Sequence, residues 1–293
     1  MDRRSLGPFE VYPIGLGAMP FSMGDNQRPS EAQSVSTVHA ALDAGVTYID
    51  TADIYAPSWD TMGHNERIVA RALASYPGST HDVVVGTKGG ITRGQGESWG
   101  RDGSLPYLRR AVEASLRALD RDVIDLYHWH RPDRTMVYAD AIANLLALRD
   151  EGKIRAVGIS NANVEEIDIA VEVLGTGGLA SVQNEFSPRF RSSRDELERC
   201  AQLGVAFLPW SPLGGAGGAS KSVGARYPVF ADVATELGVS PVQVVLAWEL
   251  ALGDHVIPIP GASRPSSITD SAKAAALHLD VDQLNRIHDA MEI

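Results

Sequence analysis

Short β-branched runs alternate with segments whose apolar residues recur at helical spacing, from near the N-terminus to near the C-terminus. The runs fall at Ile14–Gly17, Val46–Asp50, Val83–Lys88, Val123–His130, Ile154–Ile159, Ala180–Asn184, Val205–Pro209 and His255–Ile259, and their composition predicts eight strands. Between them, sets such as Val35, Val38 and Leu42, or Leu108, Val112, Leu116 and Leu119, share one helical face. Helix starts are legible as a capping side chain with Glu or Gln three residues on: Ser30/Gln33, Asn163/Glu166, Ser193/Glu196 and Ser240/Gln243. Gly45, Gly152, Gly204 and Gly238 mark helix ends, and three of them run straight into a predicted strand.

This alternation, without a composition break, predicts one (β/α)8 barrel over residues 1–293, with residues 1–12 holding a possible hairpin (Leu6–Tyr12). An open sheet for dinucleotides would carry G-x-G-x-x-G after its first strand. Gly15-Leu-Gly17-Ala-Met-Pro20 lacks the third glycine, and the Gly214–Gly218 cluster follows the seventh strand instead. In a barrel, the active site is expected at the carboxyl ends of the strands.

The 293 residues carry 26 Lys+Arg against 37 Asp+Glu, a net charge of −11, which argues against a nucleic-acid or anionic-membrane partner. Cys200 is the single cysteine and falls among the apolar positions of a predicted helix, so packing is the expected role. Arg3-Arg4 is followed by Pro8, Glu10 and Pro13 rather than by an apolar run, so a secretory leader is not read and a cytoplasmic location is expected. The uncharged stretch around Leu203 to Ser220 contains Pro209, Pro212 and five glycines, unsuited to a membrane-spanning helix. Nothing in the patterning assigns an oligomeric state.

Three predicted strands end in groups with chemistry. Gly45-Val-Thr-Tyr-Ile-Asp50 closes with a carboxylate and is followed in the loop by Tyr55; Val83-Val-Val-Gly-Thr-Lys88 closes with an ammonium; Leu126-Tyr-His-Trp-His130 closes with an imidazole. Reducing a carbonyl needs a proton on oxygen, and a free phenol, with pKa about 10, is a reluctant donor. A cation in hydrogen-bonding range lowers a neighbouring pKa by roughly 1–3 units; Lys88 would be that cation, Asp50 its anchor, and His130 a donor to the substrate oxygen. His128 and His130 share a strand face, and a His-x-His pair also suits a metal-dependent hydrolase. Lys88 in the same cluster opposes a cation.

The chain resembles the aldo-keto reductase family from about Ile14 to its C-terminus. The motifs are Gly45-Val-Thr-Tyr-Ile-Asp50-Thr-Ala-Asp-Ile-Tyr55, Asn65-Glu66, Thr87-Lys88, Asp125-Leu-Tyr-His-Trp-His-Arg-Pro-Asp133, Gly158-Ile-Ser-Asn161, Gln183, Trp210-Ser-Pro-Leu-Gly214 and Ile259-Pro-Gly-Ala-Ser-Arg264. The resemblance implies a (β/α)8 barrel, an NADPH/NADP+ cofactor, a small-molecule carbonyl substrate, and a catalytic tetrad Asp50, Tyr55, Lys88 and His130 with Tyr55 as general acid. It also implies that Ser160, Asn161 and Gln183 hold the nicotinamide carboxamide while Trp210 stacks on the ring. Ser211, Pro212, Leu213 and Gly214 open a loop over the pyrophosphate. Gly261, Ser263, Arg264 and Ser267 meet the adenosine 2′-phosphate at the start of a helix from Ser266 to Ala276, which favours NADPH over NADH. Asp270 and Ser271 stand where the family usually carries Glu-Asn at the adenine end. A cofactor-binding regulatory subunit with little turnover remains a second reading.

Candidate lining for a substrate cleft above Tyr55 is Phe21, Trp59 and Trp129, with Met19, Trp99 and Tyr227 as further aromatic or apolar positions. Longer members of the family that the chain resembles carry a C-terminal loop over the substrate, whereas this sequence ends directly after an amphipathic segment, Val281–Met291; the resemblance therefore implies an open cleft and broad aldehyde or ketone tolerance.

Overall fold

The structure, a computed structural model, describes residues 3–24, 28–215 and 219–291. The far end of the glycine cluster predicted over the pyrophosphate, residues 216–218, lies outside the described residues.

Two short strands, β1 (Arg4–Leu6) and β2 (Phe9–Val11), form the expected antiparallel hairpin. The sheet then builds from β3 (Leu16–Gly17), β4 (Tyr48–Asp50) and β5 (Val84–Gly89). A second hairpin, β6 (Ile91–Gly94) with β7 (Ser98–Arg101), follows β5 directly. The sheet continues with β8 (Ile124–Trp129), β9 (Ile154–Ser160), β10 (Leu179–Gln183) and β11 (Ala206–Phe207). Seven strands pair in parallel in the order β3-β4-β5-β8-β9-β10-β11.

The eighth predicted run, His255–Ile259, closes the ring without forming a regular ladder. Phe207 N donates to His255 O, and Ile257 N to Phe207 O, while on the other side Gly15 N and Gly17 N donate to Pro258 O and Pro260 O. Pro258 and Pro260 have no N–H to return, so among the described residues the return bond towards β3 is the long one from Ala262 N to Gly17 O, at 3.4 Å. The result is the predicted (β/α)8 barrel.

Side-chain alternation divides the molecule into two cores. Inward residues Tyr48, Val84, Leu126, Ala156, Ala180 and Ala206 pack on one another and on Leu6 and Val11 of the first hairpin, which plugs the amino-terminal mouth. Outward residues such as Ile49, Val85, Tyr127 and Trp129 pack against the surrounding helices. The same alternation carries Asp50, Lys88, His128 and His130 inward at the opposite mouth. Gly86 leaves the space that the Tyr48 ring fills, since a Cβ there would lie 2.5 Å from the Tyr48 hydroxyl.

Helix punctuation holds in part. Ser30 and Ser240 accept from the backbone N–H groups of Gln33 and Gln243, and Asn163 with Glu166 forms a full reciprocal box. Ser193 makes no such bond, and the side chain of Gln243 turns to Asp270 instead of back to its cap. Cys200 is buried in the helix-side core, its thiol pushed up by burial to about 12. Among the described residues, no single helix is long and apolar enough to cross a membrane.

Candidate active site

At the carboxyl mouth, the predicted groups meet. Lys88 Nζ donates to Asp50 Oδ2 at 2.6 Å, to the Thr51 carbonyl at 2.8 Å and to the Tyr55 hydroxyl at 3.5 Å. Asp50 Oδ1 accepts from Gln183 Nε2 at 2.8 Å and from the Tyr48 hydroxyl at 3.3 Å. The Tyr55 and His130 rings stand edge to face, with centroids 5.8 Å apart. The loop carrying Tyr55 is tied to the barrel through Asp53 N to Lys88 O and Asn65 N to Tyr55 O. From the second hairpin, Arg93 Nη1 donates to the carbonyls of Ile54 and Ala56 at 3.2 and 2.8 Å. Neither that hairpin nor Arg93 is anticipated from the sequence; the Gly94-Gln-Gly96 turn between Ile91-Thr-Arg93 and Ser98-Trp-Gly-Arg101 is the signal that pointed there.

Burial dominates the electrostatics. It pushes the Tyr55 phenol up; Lys88 pulls it back and Asp50 pushes again, and the net direction is upward. The sequence led to the opposite expectation, because a strand-end position reveals the cation but not the depth at which the phenol sits. Burial alone would lower Lys88, yet Asp50 and Tyr55 outweigh it and hold the ammonium charged. For His130, burial and then the charges of Lys88 and Arg131 hold the imidazole well below the usual histidine range, so it is neutral at pH 7. His128 shares Nε2 with the Ser181 hydroxyl at 2.9 Å, inside the barrel. Among the described residues, no group of three or more His, Cys, Asp or Glu side chains is placed to hold a metal ion.

The residues predicted for the cofactor fall on the adjoining rim. Asn161, in the left-handed region with φ 58°, donates from Nδ2 to Ser160 Oγ and to the His130 carbonyl. Ser160 Oγ donates to Gln183 O at 2.7 Å, so this set is one bonded network with Asp50. Trp210 extends the end of β11, its amide donating to Asn184 O, and its indole Nε1 is buried without an acceptor. Ser211, Gly214 and Gly215 all have positive φ, with Gly214 N donating to Ser211 O; Pro212 is buried, and Leu213 leans on the core.

Gly261 bridges Gly17, and Ser263 O accepts from Gln33 Nε2. Arg264 is the exposed N-cap residue of the helix Pro265–Ala272, which continues as a 3-10 turn, Lys273–Ala276. Its Nε donates to Ser267 Oγ, and its terminal nitrogens have no partner among the described residues. Two positions depart from expectation. The Asp270 carboxylate accepts from Ser240 Oγ and Gln243 Nε2, both at 2.6 Å, so it clamps two helices together. Ser271 is buried.

Two of the substrate-lining expectations are also overturned. Trp129 is 1% exposed and packs outward on Tyr138, because it alternates with the inward His128 and His130. Phe21 is 1% exposed in the helix-side core. Trp59 stays on the rim, 38% exposed, with its amide donating to Glu97 Oε1. The open space lies elsewhere: a cavity of about 680 Å³ is lined by Trp99, Ile91, Arg101 and Arg131, among others. Ile91 packs with Tyr55, and Arg131 follows His130, so the cavity abuts the tetrad. Arg101 and Arg131 were missed; the only sequence signal was the place of Arg131 beside the strand-end histidine.

A 6-dehydroglucose reductase from Novosphingobium aromaticivorans is 35% identical over 272 residues, 90% of this chain and 86% of that protein. Among solved structures, a glycerol dehydrogenase from Gluconobacter oxydans superposes with a TM-score of 0.83 at 26% identity, covering 99% of this chain and 94% of its own. An aldo/keto reductase from Klebsiella pneumoniae, solved in complex with NADP and acetate, gives 0.80 at 26% identity over 99% and 95%. The pattern of the aldo/keto reductase family matches residues 13–292. By sequence, by barrel and by that match, the chain belongs to the aldo/keto reductase family.

Proposed function

We propose that the protein is an NADPH-dependent oxidoreductase that reduces aldehydes or ketones to alcohols, with Tyr55 as the general acid. The observation that carries this reading is the buried Lys88 ammonium, held at 2.6 Å by Asp50 and within 3.5 Å of the Tyr55 hydroxyl. When bound, NADPH supplies the hydride that adds to the carbonyl carbon. As the C=O π pair moves to oxygen, the Tyr55 hydroxyl donates its proton there, and Lys88 stabilises the phenolate left behind. Asp50 keeps the ammonium aimed at that oxygen. The neutral His130 imidazole donates a hydrogen bond to the same carbonyl oxygen without adding a charge to the site. Proton uptake from solvent restores Tyr55.

The rim residues fit the cofactor chemically. The Ser160, Asn161 and Gln183 network offers amide and hydroxyl groups beside Tyr55, and Trp210 presents a flat indole. Arg264, exposed at a helix N-terminus with two free terminal nitrogens, suits a phosphate. Ser263, Ser267 and Gly261 flank it, and the positive-φ turn at Ser211–Gly214 suits the pyrophosphate.

The test is steady-state oxidation of NADPH with 4-nitrobenzaldehyde by wild type and Tyr55→Phe. Turnover should fall by about 10²–10⁴-fold, the range for loss of a positioned proton donor, while the NADPH dissociation constant stays within about twofold. Near-wild-type turnover in the variant removes Tyr55 from the acid role.

A further inference from the structure

We propose that the preferred carbonyl substrate bears a carboxylate, bound by Arg131 and Arg101 in the cavity beside Tyr55 and His130. This rests on the reductase reading above and names the class of compound that the site selects.

The volume of about 680 Å³ suits a small molecule. Three guanidinium groups face it, and they are not equivalent. Arg134 is paired with the buried Glu166. Arg101 donates only to the Pro132 carbonyl, at 3.2 Å, and Arg131 has no hydrogen-bond or ion-pair partner among the described residues. The chain has 37 acidic side chains against 26 basic ones, so two neighbouring arginines without an ion pair make a locally basic patch on an acidic chain.

The nearby acids act on them only at a distance: Asp133 lines the same cavity and feels the Arg101 charge, and Glu185 pulls on Arg131, but neither forms an ion pair with them among the described residues. Asp133 Oδ1 is occupied by the Thr135 amide and hydroxyl, at 2.9 and 2.7 Å. Glu185, across the adjoining cavity of about 380 Å³ that shares Arg131, makes no ion pair. Arg131 is half-buried and lines the same cavity as Arg101; burial and then the Arg101 charge lower its guanidinium, against upward pulls from Tyr55 and Glu185. A bound anion would offset that repulsion. A guanidinium fork matches a planar carboxylate with two parallel hydrogen bonds. The remaining walls describe the body of the molecule: Trp99 is 50% exposed, backed by the Arg93 guanidinium 4.8 Å from its ring, and Ile91 leads to Tyr55. A flat or aliphatic body against Trp99 would set its carbonyl at Tyr55 and its carboxylate at the arginines.

The experiment compares kcat/KM for 4-carboxybenzaldehyde and its neutral methyl ester in wild type, Arg101→Gln and Arg131→Gln. Wild type should favour the carboxylate roughly ten- to hundredfold, the range of a charge-assisted hydrogen bond. That preference should fall at least about tenfold in Arg101→Gln, mostly through KM. No preference in wild type, or an unchanged one in both variants, overturns the proposal. A larger preference for glyceraldehyde 3-phosphate over glyceraldehyde overturns the carboxylate in favour of a phosphate. Should neither aldehyde be reduced, the reductase reading fails, and calorimetry with benzoate against benzamide decides the arginine pair separately. Benzoate binding that weakens about tenfold in Arg101→Gln upholds the anion site; equal or absent binding of the two overturns it. Arg101 lies at the exposed end of β7, so its variant keeps the test open if Arg131→Gln does not fold.

Discussion

Glu249 and Asp50 show two ways in which a buried carboxylate can be treated. Asp50 meets the Lys88 ammonium at 2.6 Å and accepts two further hydrogen bonds. Glu249, on the helix Pro241–Leu250, is fully buried with both oxygens unpartnered, and burial pushes its carboxyl well above the usual carboxylate range. A folded-state pKa raised above the unfolded value means that the folded chain holds the proton more tightly. Stability is therefore greatest below the unfolded pKa and declines as pH rises through the folded one, by at most about 1.4 kcal/mol per pH unit. Glu249→Gln removes this dependence. Its unfolding midpoint should match wild type near pH 4 and exceed it at pH 8; a constant difference across that range would show that Glu249 does not titrate with folding. Asp53, two residues before Tyr55, is a second buried carboxyl, pushed up by burial and then by the Glu66 charge. Neither was visible in the sequence, where each is an ordinary acidic position.

The helix Pro265–Ala272 is the element on which cofactor selectivity is proposed to rest. Pro265 suits the first helical turn, and Arg264 precedes it in extended backbone with φ −152°. That places a guanidinium beside unpaired N–H groups. Arg264→Ala should raise the NADPH dissociation constant by about tenfold or more, as loss of a charge-assisted hydrogen bond does, and change that for NADH much less. Equal changes in fluorescence titrations with the two cofactors would take Arg264 out of the role. The start of this helix was readable because Pro265 constrains the chain locally. Helix starts that depend on more than local sequence were read less well. Asn163 caps as its spacing predicts, whereas Ser193 has the same spacing and no bond, its backbone lying at φ −93°, ψ 24° rather than in the extended conformation of an N-cap.

Ring closure is the property that no single element carries. β3 and the segment 255–262 join through Gly15 N to Pro258 O, Gly17 N to Pro260 O and a longer return bond from Ala262 N to Gly17 O, a seam that needs close backbone approach. Gly17 permits it: a Cβ at that position would lie 2.8 Å from the Ile259 carbonyl and 3.3 Å from Gly261. Gly17→Ala should therefore lower stability by about 1–3 kcal/mol, the usual range for overpacking. Denaturant unfolding would read the loss, and an unchanged midpoint would show that the seam gives way without strain. Asp50 of the tetrad pairs in register with Gly17 across β3 and β4, and Gly261 and Arg264 follow the seam directly in sequence. Cofactor affinity in the variant thus reports on the same closure.

Alternation and punctuation were enough to place Asp50, Lys88 and His130 inward at one end of consecutive strands, because side-chain direction in a strand follows from position alone. They were also enough to order the strands, since short αβ connections leave parallel neighbours little choice. What the chain order could not convey is which inward or outward side chains meet. Packing decided that Trp129 and Phe21 belong to the core, that Asp270 holds two helices together, and that burial outweighs Lys88 at Tyr55. It also set Arg101, from a hairpin, beside Arg131, from a strand end, on one cavity without an ion pair to either. Those outcomes depend on register, curvature and depth across residues far apart in the chain, whereas periodicity records only the neighbours along it.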